Sequence, residues 1–344
     1  MKRPREPVLA DLTDEMKTTG TLAMVDLSKG RKMGDLPPET VKELLILETL
    51  PKPIHYTDGT EMMSIFGTFM LERIVGTVPV SEEGSAYFEL PAGRPFFFLA
   101  MDENGHCVKR MHSFTSVMPG ENTVCIGCHE ERTLSPDAND RNRLFKLLRT
   151  QPSQIKPVEG VPDVLCFTRD IQPILDRHCV ECHNPDREEG GINLSGHWTP
   201  LYTISYANLT WGNNLLGDNR NRAVSNFKPY EMGTGSSRLV KLIEEGHQGV
   251  KMSPEEQKII RMWIDVGANF AGTYASEASG GVGYYMANIP VRNEKDWPET
   301  PAMREAISRR CDGCHAPTEN EKKLGMYDIY RDNYSPRNPQ TTTD

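Results

Sequence analysis

No run of apolar residues in this chain of 344 is long enough to cross a bilayer as a helix, so a membrane-spanning helix is not expected. The N-terminal stretch MKRPREPVLADLTDEMK carries charge with no hydrophobic segment behind it, so it is not a secretory signal as written. An excess of basic residues is also lacking. Lys plus Arg number 39 against 48 Asp plus Glu, a formal charge of −9 with the two signs interspersed. Phosphate binding needs a basic face, so nucleic acid is not expected as a partner. Hydrophobic residues make up only 37% of the chain, beside 28 glycines and 25 prolines. That composition describes a loop-rich protein exposed to water, long enough for two or three domains.

Cysteine is what the chain does have. Six of its eight cysteines fall into three copies of one pattern, CIGCH (125–129), CVECH (179–183) and CDGCH (311–315). Chance from this composition gives on the order of 0.005 copies, so the pattern is selected. Two cysteines about one helical turn apart can each form a thioether with a haem vinyl group, and the adjacent histidine then faces the iron. Cys125, Cys128, Cys179, Cys182, Cys311 and Cys314 are therefore the expected attachment points of up to three haems c, with His129, His183 and His315 as proximal ligands. Paired zinc knuckles are the rival, but three knuckles do not pair evenly, and zinc gives no reason for a histidine to follow each time. A thioredoxin-like dithiol needs one motif and no histidine. Haem c is attached outside the cytoplasm. The chain is thus expected to be a piece or mature form of a longer exported protein, periplasmic or in another extracytoplasmic compartment, with flanks missing.

The expected fold class is α+β. Residues 1–60 read as a polar N-terminal extension in which VKELLILETL (41–50) is either strand or short helix. Within 61–150, TFMLERIVGTVPV, SAYFEL, PFFFLAM and CVKRMHSFTSVM are strand-like, separated by EEGS, PAGR and DENG turns, and predict an antiparallel β-sandwich-like domain carrying the first motif. Within 151–275 the reading is a mostly α-helical, cytochrome c-like domain. FTRDIQPILDRHC has helical spacing, with Asp170 as N-cap and Pro173 in the first turn, and delivers the second motif. MSPEEQKIIRMWIDVG has Ser253 as N-cap, Pro254 in the first helical position, Glu256 closing a capping box and Gly267 as the stop. Residues 276–344 form a linker and the third motif, an incomplete segment in which PAMREAISRR is a further helix.

VCIGCHEERTLSP, preceded by GTVPVSEEGSAYFELPAGRPFFFLAMDENG and SVMPGE, resembles the middle domain of the hydrazine synthase alpha subunit family of planctomycete-type bacteria. FTRDIQPILDRHCVECHNPD, continuing to GVKMSPEEQKIIRMWIDVGA, is similar to the cytochrome c module that follows it there. The resemblance covers roughly 68–272. It implies haem chemistry and, in the family, one catalytic haem with a tyrosine ligand just after its motif. Here those positions are Glu130, Glu131, Arg132 and Thr133, so that ligation is not carried over.

For the second haem the opposite ligand is expected near 247–252. Met252 precedes the last helix, as in small cytochromes c. The family implies a histidine at the place of His247, and His247 is preferred. His197 reads as a loop residue and His178 as structural. His106, Cys107 and His112 lie together before the first motif, where they are either surface residues of a hairpin or, by the resemblance, donors of a distal ligand or of zinc. Cys107 and Cys166 are left over and can pair only if folding brings them together. Two functional readings follow. The first is a multihaem electron carrier working with redox partner proteins, alone or as an oligomer. The second is a haem enzyme acting on small nitrogen compounds at the first haem, with Glu130, Glu131 and the hairpin histidines as its acid–base candidates.

Overall fold

A computed structural model of the chain describes residues 16–51, 64, 70–128, 135–198, 202–212, 215–217 and 226–273, with 305 and 309 besides. The third motif, His129, Glu130, Glu131, His55 and nearly all of the 301–310 helix lie outside these residues.

Seven strands make two sheets. β1 (Thr19–Met24) lies between β4 (Ala86–Pro91) and β7 (Asn122–Cys125) in one. The other has the order β3 (Glu72–Pro79), β2 (Glu43–Thr49), β5 (Phe96–Met101), β6 (Cys107–Arg110). The pairing is antiparallel except between β1 and β7, which run parallel, so the expected wholly antiparallel arrangement needs that correction. The expectation of an N-terminal extension is also overturned, since β1 and β2 are the inner strands that hold their sheets together. VKELLILETL resolves as strand because Leu44–Leu47 are buried on alternate sides and pair with β3 and β5.

The four-stranded sheet is covered on both faces. Leu44, Ile46, Phe96, Phe98, Ala100 and Val108 face Leu22, Met24, Phe88 and Leu90 of the three-stranded sheet. Leu45, Leu47, Phe97, Leu99, Met101 and Cys107, their neighbours in sequence, join the core of the helical half. Successive residues of a strand point to opposite faces, so double coverage demands unbroken apolar runs, and FFFLAM and LLIL are such runs.

α1 (Ala138–Leu147) opens on an Asp137–Asp140 capping box and is tied to the end of β1 by Arg143–Asp26 at 2.6 Å. The helical half begins at Phe167–Ile171, a π-type turn, and runs on into α2 (Gln172–His178). Asp170 is not the N-cap here. Its carboxylate accepts from the Cys166 N–H at 2.8 Å and its own N–H donates to the Cys166 carbonyl at 2.9 Å, while the wider turn is closed by the Gln172 N–H donating to the Phe167 carbonyl. The short α3 (Ile204–Ala207) and α4 (Arg238–Glu244) precede α5 (Pro254–Asp265), where Ser253, Pro254 and Glu256 form the expected cap and box. Phe167, fully buried, stands at the centre, with ring centroids 5.3 Å from Trp263, 5.1 Å from Tyr206 and 5.9 Å from Phe270.

The halves are joined by polar contacts as well. Arg110 of β6 binds Glu72 at 2.5 Å, lies over the Phe97 ring at 4.7 Å, and donates to the Asp265 carbonyl of α5. The Asp265 carboxylate accepts from the Thr234 N–H and hydroxyl at 2.8 and 2.9 Å, and the Thr234 hydroxyl accepts from the Cys107 N–H at 2.7 Å.

Candidate functional site: two cysteine motifs

The second motif continues directly from α2. Cys179 N–H donates to Leu175 O, and both Cys182 and His183 donate to Cys179 O, at 3.1 and 2.9 Å, so the five residues make one helical turn. The His183 Nδ1 lies 3.3 Å from the Ile192 carbonyl. A bond there puts the proton on Nδ1 and leaves the Nε2 lone pair to ligate a metal. Burial pushes the Cys179 thiol up to about 11, with Cys182 adding to the effect.

Opposite stands His247. Its ring is 6.1 Å from that of His183, centroid to centroid, with 19° between the planes. Two imidazoles that share one metal at bonds of about 2 Å place their ring centres roughly 6 Å apart. His247 is held out by a loop in which Gly246, Gln248 and Gly249 all have positive φ, of 80°, 49° and 78°. Gln248 is the telling residue, because a side chain rarely occupies the left-handed region without surrounding structure to hold it there. Met252, by contrast, is buried with the helical core. The geometry therefore brings together His183 and His247, with Cys179 and Cys182 on the same turn as His183, in an arrangement that suits a metal with two axial imidazoles.

His178 and Arg177 both reach Glu256, at 3.0 and 2.8 Å, so His178 clasps α2 to the first turn of α5. Burial pushes the Glu256 carboxyl up, but the Ser253 N–H, Arg177 and His178 outweigh it and hold the group at about 2. His197 is exposed, with its Nδ1 3.2 Å from the Ser195 hydroxyl.

The first motif sits at the end of a strand. Cys125 closes β7, and Cys125 and Cys128 pack on the core between the two sheets. The alternative in which His106, Cys107 and His112 gather as one set of donors does not form. His106 Nε2 lies 2.8 Å from Glu244 of α4, Cys107 is buried on the helical side of β6, and His112 stacks on Phe227 at 5.5 Å. Alternation along the strand sends adjacent side chains to opposite faces. No group of three or more His, Cys, Asp or Glu suited to a metal ion occurs among the described residues, so the set does not fit the zinc site. Cys107 and Cys166 remain thiols and form no disulfide.

What the histidines missed, the lysines supply. Lys109 of β6 is buried beside the first motif, and Lys32 reaches the same place from the β1 side. Burial lowers the Lys109 pKa. A lysine in a strand gives no sequence signal of burial, which is why this pair escapes sequence reasoning.

The profile of the hydrazine synthase alpha subunit middle domain matches residues 40–130. This chain is related to the hydrazine synthase alpha subunit family. A hydrazine synthase subunit alpha of Kuenenia stuttgartiensis is 27% identical over 210 residues, which cover 45% of this chain and 26% of that protein. The solved Kuenenia stuttgartiensis hydrazine synthase has the same fold at a TM-score of 0.54 and 17% identity, over 75% of this chain and 44% of the solved one. The chain thus spans about a quarter of the curated relative's length. The α+β fold agrees with that of hydrazine synthase, and the likeness extends beyond the middle domain into the helical half. No described helix is long and apolar enough to cross a membrane.

Proposed function

We propose that this relative of the hydrazine synthase alpha subunit is a multihaem c-type cytochrome that transfers electrons. In this reading 151–275 is a cytochrome c-like domain, and haem is anchored at Cys125 and Cys128, Cys179 and Cys182, and Cys311 and Cys314, with His129, His183 and His315 as proximal ligands. The observation that carries it is the near-parallel pair His183 and His247, ring centres 6.1 Å apart, beside two cysteines on one turn. When bound, the haem supplies a one-electron couple whose potential depends on its two axial ligands. The chain's own residues do the rest. The Ile192 carbonyl fixes the His183 tautomer, the left-handed loop at 246–249 aims His247, and Cys179, Val180 and Val250 pack the site onto the apolar helical core. Redox partner proteins, an extracytoplasmic location and assembly into an oligomer belong to the same proposal.

One observation favours a haem-based oxidoreductase acting on small nitrogen compounds at the first motif. Both described histidines before it are engaged elsewhere, His106 by Glu244 and His112 by Phe227, so neither stands ready as an axial ligand there.

The test is low-temperature EPR of the matured chain, with its haem content fixed by a pyridine haemochrome assay. Three haems per chain are expected, and a low-spin signal from the second site should turn high-spin in His247→Ala but not in Met252→Ala. The reverse pattern would sink the bis-histidine assignment, and a chain without haem would sink the cytochrome itself. Nitric oxide binding to the unmodified protein at the first site would establish the enzyme reading.

A further inference from the structure

The loop of the first motif is pressed against the turn after β1. Cys128 N–H donates to Lys29 O at 2.8 Å. A Cβ on Gly30 would overlap the Cys128 carbonyl oxygen, and one on Gly127 would overlap the Lys29 carbonyl, so both positions need glycine for the close approach. Lys32, with a left-handed φ of 61°, extends from this turn and donates to Asn226 O at 2.7 Å, while Asn226 Nδ2 returns a bond to Arg31 O at 3.0 Å. From the sheet, Lys109 donates to Phe227 O. Two ammonium groups therefore end on consecutive carbonyls beside Cys128.

Lys109 is only 6% exposed, and it forms no ion pair with a described residue. After burial the strongest influence on it is Cys128, which favours the ammonium form, as Glu231 and Cys107 do more weakly, the Glu231 carboxylate being turned to the Lys228 N–H at 2.8 Å; Lys32 repels it. A buried charge answered only by a carbonyl is costly, and a second cation beside it raises that cost. Asn226, 8% exposed, has its Oδ1 buried without a hydrogen-bond partner. Among the described residues the two ammonium groups thus have no carboxylate in ion-pair contact, and a buried acceptor has no proton donor. A hydrated oxyanion brings both.

We propose that Lys109, Lys32 and Asn226 form an anion niche beside the first motif, taking a carboxylate or a small inorganic oxyanion. Two sources share that chemistry. One is a carboxylate of the haem anchored at Cys125 and Cys128, which rests on the proposed function. The other is a free oxyanion, which does not.

The experiment uses the matured full chain, its Lys109→Met and Lys32→Met variants, and nitrite and acetate as probes against chloride at constant ionic strength. If the occupant is a free oxyanion, the wild-type unfolding temperature rises saturably with nitrite or acetate, and the apparent affinity falls about tenfold or more in either variant. If it is the anchored carboxylate, no saturable rise occurs. Instead the pH dependence of the first haem's potential moves to higher pH in the variants, because a carboxylate that has lost an ammonium neighbour is harder to ionise. Lys32 is exposed, so Lys32→Met carries the test should Lys109→Met fail to fold. Agreement of wild type and variants in both measurements overturns the niche. Mass spectrometry of the Cys125–Cys128 peptide keeps the two ideas apart: a peptide without haem defeats the cytochrome reading at this motif, while the anion titration still decides the niche.

Discussion

The same five-residue pattern stands in two different settings in this molecule. At 179–183 it prolongs a helix, so its cysteines and histidine share one turn whose geometry is local, and a second histidine meets it from a loop 64 residues on. At 125–129 it leaves a strand, held in place by sheet register and by the packing of Gly30 and Gly127 against their neighbours, and it is faced by lysines. The pattern is the same in both places. What lies opposite is set by the element that carries it, and hence by whichever part of the chain packs on that element.

The largest expected effects come from the two cores that support the two settings. Trp263→Ala removes a fully buried indole at the centre of the helical half and should cost about 3–5 kcal/mol. Phe88→Ala, which removes the ring packed edge-on to Phe98 at 5.6 Å between the sheets, should cost a similar amount. Denaturant unfolding followed in the haem spectrum sharpens the comparison. Trp263→Ala should disturb the His183–His247 signal well before global unfolding, and Phe88→Ala should leave it intact. Equal disturbance by both would mean that the doubly covered sheet makes the two settings one cooperative unit.

Asp265 lies where the halves meet. Burial, working against the Thr234 bonds and Arg110, pushes its carboxyl up to about 7 from an ordinary 3.8. Between those values the folded chain holds a proton that the unfolded chain has lost, so this group's contribution to stability is complete below about 3.8 and declines as pH rises through about 7. Thermal unfolding across that window should show the decline, and Asp265→Asn should flatten it. An unchanged slope in the variant would mean that another group titrates.

The smallest effect is expected where α2 is clasped to α5. Ser253→Ala removes the cap hydroxyl that accepts from the Glu256 N–H at 3.2 Å, and should cost about 1 kcal/mol. It should act on the second setting only, measured as an earlier loss of the low-spin signal on heating. An equal shift of the first site's spectrum would break the separation drawn above.

Much of this was legible. The capping box at Ser253 and Glu256, the strands from 72 to 110 and the helix that delivers Cys179 are written in local pattern. Other features were not. TGTLAM is short and Gly-interrupted, and NTVC is half polar, so β1 and β7 declare themselves only through their pairing. Asp170 has the composition of an N-cap, but the helix starts earlier, at Cys166, and Asp170 lies inside the π-type turn with its carboxylate on the Cys166 N–H. That His247 lies beside His183 while Met252 is buried in the helical core is likewise a matter of packing.

By itself the sequence determined three copies of one Cys-Cys-His pattern, because that pattern is complete within five residues. It also determined the apolar runs that make a doubly covered sheet. Only the tertiary structure decided that β1 and β2 are central strands, that His106, Cys107 and His112 disperse to different neighbours, that His247 faces His183, and that Lys109 is buried beside Cys128. The physical reason is range: a turn or a cap is satisfied within a few residues, whereas a face, a partner ring or a buried charge is defined by whatever the rest of the chain places against it.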